Sequence, residues 1–289
     1  MKKAILIVSF GTTYPETRQK NIAAITRQVR ALYPDALVAE AVSSTIVRNA
    51  MKKREHIDAK SPEEGLLWLK EQGATHIVVF PTHVIDGIEN YRVKRVVEEY
   101  KTDFKQITVA DALLAKSCDY TNVAKALWES LKEKVGNAPL ILMGHGTEHT
   151  ADSSYAVMEQ ALQAYAQQPV YIATVEGKRT IADVIAQMQS EDIVNVRVVV
   201  APFMLVAGDH AHNDMAGMED SFASLLKENG YLPECILRGL GEYPAVREIY
   251  LSHLQKAAGT LFADITTKNR TGILYGIGVG SGNPKQMTL

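Results

Sequence analysis

Short runs of apolar residues alternate along the chain with longer stretches in which apolar positions recur every three or four residues. Ala4–Ser9 is such a run; Ile22, Ile25, Val29 and Leu32 follow at helical spacing, and a second run covers Ala36–Ala41. Unbroken apolar runs of this length suit strands buried on both faces, and their alternation with helical periods predicts βαβ units on a mostly parallel sheet. Ser61-Pro62-Glu63-Glu64 offers an N-cap, a proline at the first helical position and a glutamate at the third, so a helix is predicted from there through Trp68. His76–Pro81 reads as the next buried strand, and a last helix is predicted near Tyr250–Ala257.

The pattern then repeats. Ile7-Val8-Ser9-Phe10-Gly11-Thr12 ends a strand and enters a helix, and Leu142-Met143-Gly144-His145-Gly146-Thr147 does the same in the second half. Further on, Ile77-Val78-Val79-Phe80-Pro81 leads to Gly87 just as Val198-Val199-Val200-Ala201-Pro202 leads to Gly208, with the same spacing from proline to glycine. Two matched segments in one order imply a duplication: an α/β fold of two similar Rossmann-like lobes, 1–134 and 135–258, each a small parallel sheet flanked by helices, with a cleft between them. Ligands of open parallel sheets bind beyond the carboxyl ends of the strands, where both glycine loops fall. The halves differ at matched loop positions: Phe10 is replaced by His145, and Glu89 by His210.

Composition narrows the classes. With 289 residues, 46% hydrophobic and 22% charged, the chain has ordinary globular composition, and its formal charge of −2 excludes a general electrostatic grip on nucleic acid. Cys118 and Cys235 stand far apart, which leaves neither a disulfide framework nor a thiolate metal site. The apolar start stops at Phe10-Gly11 without a cleavage site, and no stretch approaches the roughly 20 apolar residues of a membrane helix. A cytoplasmic protein is expected.

Three segments carry candidate chemistry. Gly144-His145-Gly146 puts an imidazole on a strand-to-helix turn whose glycines let a ligand approach the backbone. Val206-Ala207-Gly208-Asp209-His210-Ala211-His212-Asn213-Asp214 packs two histidines and two aspartates into a loop, where Asn213 and Asp214 read as caps of a helix starting there and Asp209 and His212 stay open. Tyr171–Val175 is a strand that runs into Glu176, a carboxylate too costly to bury there without a partner. Two imidazoles and a carboxylate suit a borderline divalent cation such as cobalt, iron or nickel. Gly276-Ile277-Gly278-Val279-Gly280 lacks the helix and acidic partner of a dinucleotide loop, Ser9, Ser43 and Ser44 lack a nucleophile elbow, and His56, His76, His149 and His253 read as structural or surface residues.

At Gly144-His145-Gly146, Glu176 and Ala207–Ala216 the chain resembles the anaerobic sirohydrochlorin cobaltochelatases, relatives of ferrochelatase, over about its first 258 residues. The likeness runs from Ser9-Phe10-Gly11-Thr12 through His83 and Gly87 to Gly239-Leu240-Gly241-Glu242. It implies that His145, Glu176 and His210 hold the metal, that His145 also accepts a proton, and that the ligands are Co2+ as substrate and sirohydrochlorin, with no organic cofactor. Phe80 stands where the family usually has glutamine, and Lys178-Arg179 where it has a serine-tyrosine-proline run. Gly11, Thr12, His83, Glu89 and Arg48 are candidate substrate contacts, with Lys52, Lys53 and Arg92 as further rim cations for the ring's carboxylates. Residues 259–289 read as a linker, Gly259–Asn269, and then the truncated start of a tetrapyrrole methyltransferase resembling the one that acts at C20, departing from it at Ser281 and Asn283; such an enzyme would be a partner. No nucleic acid or membrane partner is expected, and oligomeric state stays open. Rival readings are insertion of iron, nickel or zinc, a non-catalytic metal or tetrapyrrole carrier, and a solute receptor, which the missing export signal disfavours.

Overall fold

The chain, described over residues 1–262 by a computed structural model, opens with β1 (Lys3–Ser9), α1 (Pro15–Lys20), α2 (Ile22–Leu32), β2 (Leu37–Val42), α3 (Thr45–Glu55) and α4 (Pro62–Glu71). The first lobe continues through β3 (His76–Pro81), α5 (Ile88–Glu99) and β4 (Gln106–Val109), and α6 (Ser117–Val135) leads out of it. The second lobe is β5 (Leu140–Gly144), α7 (Ser153–Ala166), β6 (Val170–Thr174), α8 (Ile181–Ser190), β7 (Arg197–Pro202), α9 (Phe222–Glu228), β8 (Leu232–Cys235) and α10 (Pro244–Phe262). No helix among the described residues is long and apolar enough to cross a membrane.

Both sheets are four-stranded and parallel, ordered β2-β1-β3-β4 and β6-β5-β7-β8, so the duplication read from the motifs is a duplication of topology. It holds to the residue: Val8 lies opposite Pro81 in one sheet and Met143 opposite Pro202 in the other. The same alignment extends to the outer strands, where Ser9 pairs with Val42 and Gly144 with Thr174; two residues further on, Glu176 is therefore the twin of Ser44. Ala4–Val8 and Leu140–Met143 are buried on both sheet faces, which is why these strands read as unbroken apolar runs. The chain leaves the central strand in opposite directions at β1/β3 and at β5/β7, and these switch points open the ligand-binding crevices.

The helix predicted at Ser61 forms with its capping box complete: the Glu64 amide donates to Ser61 Oγ at 3.2 Å, and Glu64 Oε2 accepts from the Ser61 amide at 2.7 Å. Two expectations change. No regular helix starts at Asn213 or Asp214; a single π-helical turn, Ala211–Met215, ends at once, and α9 begins only at Phe222, capped by Ser221. The linker expected from Gly259 does not begin there, because α10 runs unbroken to Phe262 with Leu261 and Phe262 buried. The rest of that segment and the methyltransferase-like stretch lie outside the described residues.

The helices that close each lobe are shared between them. After β4, α6 packs against α7 of the second lobe, and after β8, α10 returns to pack on β3, β4 and α6. One apolar core consequently spans both lobes, from Ile5 and Phe80 through Leu127 and Leu131 to Tyr250 and Leu254.

Candidate metal site

At the carboxyl end of β5 the chain turns sharply through Gly146, whose φ of +84° lies in the region that favours glycine. A Cβ at Gly146 would collide with the backbone nitrogen of Gly177, so the absence of a side chain lets the loop after β5 touch the loop after β6. The Glu176 amide donates to the His145 carbonyl at 2.8 Å, locking the two loops side by side. His145 and Glu176 thus project from adjacent strand ends, with Nδ1 3.7 Å from Oε2. His210 reaches the same point from the loop after β7, its ring standing edge-on to that of His145 at 4.8 Å between centroids.

One ligand atom from each of the three residues falls within 4.8 Å of the others. Bonds of about 2 Å allow ligand atoms up to roughly 4 Å apart to share one ion, so small side-chain rotations complete the grip. His145 Nδ1 lies 3.1 Å from the Gly146 carbonyl, and His210 Nδ1 lies 2.7 Å from Asp214 Oδ2. A carbonyl or carboxylate can only accept, so each Nδ1 carries the hydrogen in these contacts. Asp214, read in the sequence as a cap, instead holds the His210 imidazole, an arrangement of the kind common around bound metals. The signal that could have found it is the four-residue spacing of His210 and Asp214 on one helical turn.

Across the cleft the first lobe presents the twin positions with different chemistry: Phe10 for His145, Ser44 for Glu176 and Glu89 for His210. The Phe10 ring, 39% exposed, faces the His145 ring at 6.1 Å. Half-buried His83 lies 3.5 Å from the Ser43 hydroxyl, and burial pushes its pKa down to about 4 against the opposing pull of nearby Glu89. Glu89 is itself paired to Arg92 at 2.5 Å, and Lys52 to Asp58 at 3.0 Å. Arg48 donates to the Val42 and Ser43 carbonyls at 2.6 and 3.0 Å, holding the turn from β2 into α3. Gly11 and Thr12 are buried in their turn, with Thr12 Oγ1 accepting from the Tyr14 amide at 3.2 Å, so they shape the cleft from beneath.

The residues left open resolve into a contact between lobes. Tyr14 stacks on His212 at 4.8 Å with the planes 5° apart, its hydroxyl reaches Asp209 at 3.4 Å, and Thr17 Oγ1 donates to the Ala207 carbonyl at 3.2 Å. Among the histidines set aside, His56 ends α3 in the left-handed conformation, and His149 Nδ1 accepts from the Ala151 amide at 3.1 Å. His253 is buried against Asp119 at 3.2 Å, joining α10 to α6.

Two duplicated parallel lobes with two histidines and a glutamate gathered at one switch point share their fold with two-lobed chelatases. SirB from Bacillus subtilis, solved with Fe3+, superposes with a TM-score of 0.63 at 20% identity over 90% of this chain and 97% of its own. CbiX, described as the terminal enzyme of siroheme biosynthesis in denitrifying bacteria, superposes with a TM-score of 0.54 at 18% identity over 88% of this chain and 99% of its own. The sequence goes further: the chain belongs to the cobalt chelatase (CbiK) family, whose model matches residues 3–259. The sirohydrochlorin cobaltochelatase of Salmonella typhimurium is 33% identical over 258 residues, 89% of this chain and 97% of that protein. The sirohydrochlorin cobaltochelatase CbiKC of Nitratidesulfovibrio vulgaris is 32% identical over 267 residues, 90% of this chain and 92% of that protein.

Proposed function

We propose that this protein inserts Co2+ into sirohydrochlorin, on the anaerobic route to cobalamin, with His145, Glu176 and His210 holding the incoming ion. The observation that carries the reading is the convergence of these three ligands at the end of one sheet, in a chain of the cobalt chelatase family. Three protein ligands leave coordination positions open to the pyrrole nitrogens. Insertion exchanges one divalent ion for two pyrrolic N–H protons. A ligand that releases the ion regains a lone pair, so His145 Nε2 can take one of those protons as the metal passes into the ring. The exposed Glu176 carboxylate is open to the second proton or to its transfer to water. Phe10 offers an apolar face on the other side of the cleft.

The tail carries a second, separable proposal: residues from Thr271 onward open a C20-methyltransferase that would act on the cobalt-loaded ring, supported by the resemblance alone. The main reading is tested with purified protein, sirohydrochlorin and Co2+, following the absorbance of the ring. An enzyme converts many equivalents of substrate, whereas a carrier stops after one stoichiometric change.

A further inference from the structure

The helix behind the metal site turns three polar side chains toward the two loops that carry His145 and Glu176. Asp152 sits at the N-cap of α7, and Tyr155 and Glu159 follow at spacings of three and four residues, which places them on one face. Asp152 Oδ1 accepts from the amide of Thr147 at 3.1 Å, and its Oδ2 accepts from the amide of Lys178 at 3.2 Å. Each of those amides lies two residues beyond a metal-facing side chain. The Tyr155 hydroxyl accepts from the Gly146 amide at 3.2 Å, and burial pushes its pKa up to about 12, which keeps the hydroxyl neutral. Glu159 Oε2 accepts from the Ile172 amide of β6 at 2.5 Å, and the same carboxylate pairs at 2.6 Å with Arg179, which follows the Glu176 loop.

We propose that Asp152 is a positioning residue of the metal site, a carboxylate staple whose two oxygens hold the His145 and Glu176 loops at one separation, backed by Tyr155 and Glu159 along the same helix face. Without the staple, the two segments keep only two neighbouring backbone bonds where they leave the sheet, from the Val175 amide to the Gly144 carbonyl and from the Glu176 amide to the His145 carbonyl, and Gly146 and Gly177 bring no side chains that could lock the loops beyond them. Glycine loops of this kind are permissive, and a ligand pair displaced by about an ångström loses much of its hold on a metal. Asp152 is not among the three residues whose ligand atoms converge, and both its oxygens are taken by loop amides, so removing it acts on the metal step through His145 and Glu176.

This inference rests on the reading of His145, Glu176 and His210 as ligands, and its test separates the two. Co2+ is titrated into the full chain without tetrapyrrole, following the visible absorption of the bound ion, for the parent, Asp152→Ala, Asp152→Asn and Glu176→Gln. Asp152→Ala is expected to weaken Co2+ binding about tenfold or more and to alter the band, while KM for sirohydrochlorin stays within about twofold of the parent. Asp152→Asn, which keeps the shape and one acceptor oxygen, is expected to fall between and decides the matter if the alanine variant does not fold. Parent-like Co2+ affinity and band shape in both Asp152 variants, with Glu176→Gln weakened, overturn the staple and leave the ligand reading standing. Parent-like affinity in Glu176→Gln overturns the ligand reading and the staple with it.

Discussion

His145 and His210 share a design: each places Nδ1 against an oxygen acceptor. Because both rings lie at the cleft surface and neither belongs to the apolar core, His145→Ala is expected to abolish insertion while leaving the melting temperature near that of the parent; near-parental turnover would remove the central role given to this residue. Glu176→Gln keeps size and deletes charge, and it is expected to weaken Co2+ binding measured by titration, an unchanged affinity marking Glu176 as structural. His83 behaves differently, since it titrates as part of the fold. Its pKa falls from an ordinary 6.5 to about 4 in the folded chain. Above pH 6.5 it is neutral in both states and its contribution is fully present; between the two values the unfolded chain takes up a proton that the folded chain refuses, so stability declines as pH falls. The decline should be complete once pH has passed below about 4, where both states are charged. His83→Gln is expected to flatten this part of the stability profile, measured as melting temperature against pH, and an equally steep acid decline in the variant would show that His83 is not its source.

At the level of elements, the site depends on loops whose backbone geometry is as specific as their side chains. Gly146→Ala forces both an unfavourable φ and a collision with Gly177, whereas Gly73→Ala at φ +74° meets nothing within 4 Å. The first variant should lose most Co2+ binding and the second should cost only the modest stability of a strained turn; equal losses of metal affinity in both would mean that the close approach of the loops is irrelevant. Much of this architecture was legible in the sequence, because strands buried on both faces write themselves as apolar runs and a duplicated glycine turn writes itself twice. What was not legible depended on the conformation of the turns, which decides the partner each polar side chain meets. Asp214 has the identity of a helix cap, and only the conformation of the turn at Ala211–Met215 aims it at His210. Asp152 looks like any residue at a helix start, since the amides it accepts from belong to Thr147 and Lys178. Arg48 has the charge to meet a substrate carboxylate, and that charge does not announce the backbone carbonyls at the end of β2 to which its guanidinium donates.

Across the whole molecule, the lobes are held together by exchange of their closing helices, a feature that helical periodicity leaves open because an apolar stripe does not say which sheet it will cover. The last turn of α10 makes the point testable. Taken from the sequence alone, a chain ending at Ala258 should lose only a linker; the structure says otherwise, because Leu261 and Phe262 are buried and the Phe262 ring packs edge-on against Tyr33 of the first lobe at 5.9 Å. Burying a leucine or a phenylalanine contributes about 1.5–3 kcal/mol each, so a cut after Ala258 is expected to cost several kcal/mol relative to a chain ending at Phe262, an upper estimate because denatured chains already bury some apolar surface. The loss falls where α10 meets the first lobe, on the helix whose Tyr250 hydroxyl donates to the Thr82 carbonyl at 3.1 Å beside His83. Cobalt insertion at low temperature should therefore survive in both truncated chains, while the shorter one melts markedly earlier and loses activity first on warming. Coincident melting curves for the two truncations would show that the lobes do not depend on this turn, and would return Gly259 to the linker that the sequence suggested.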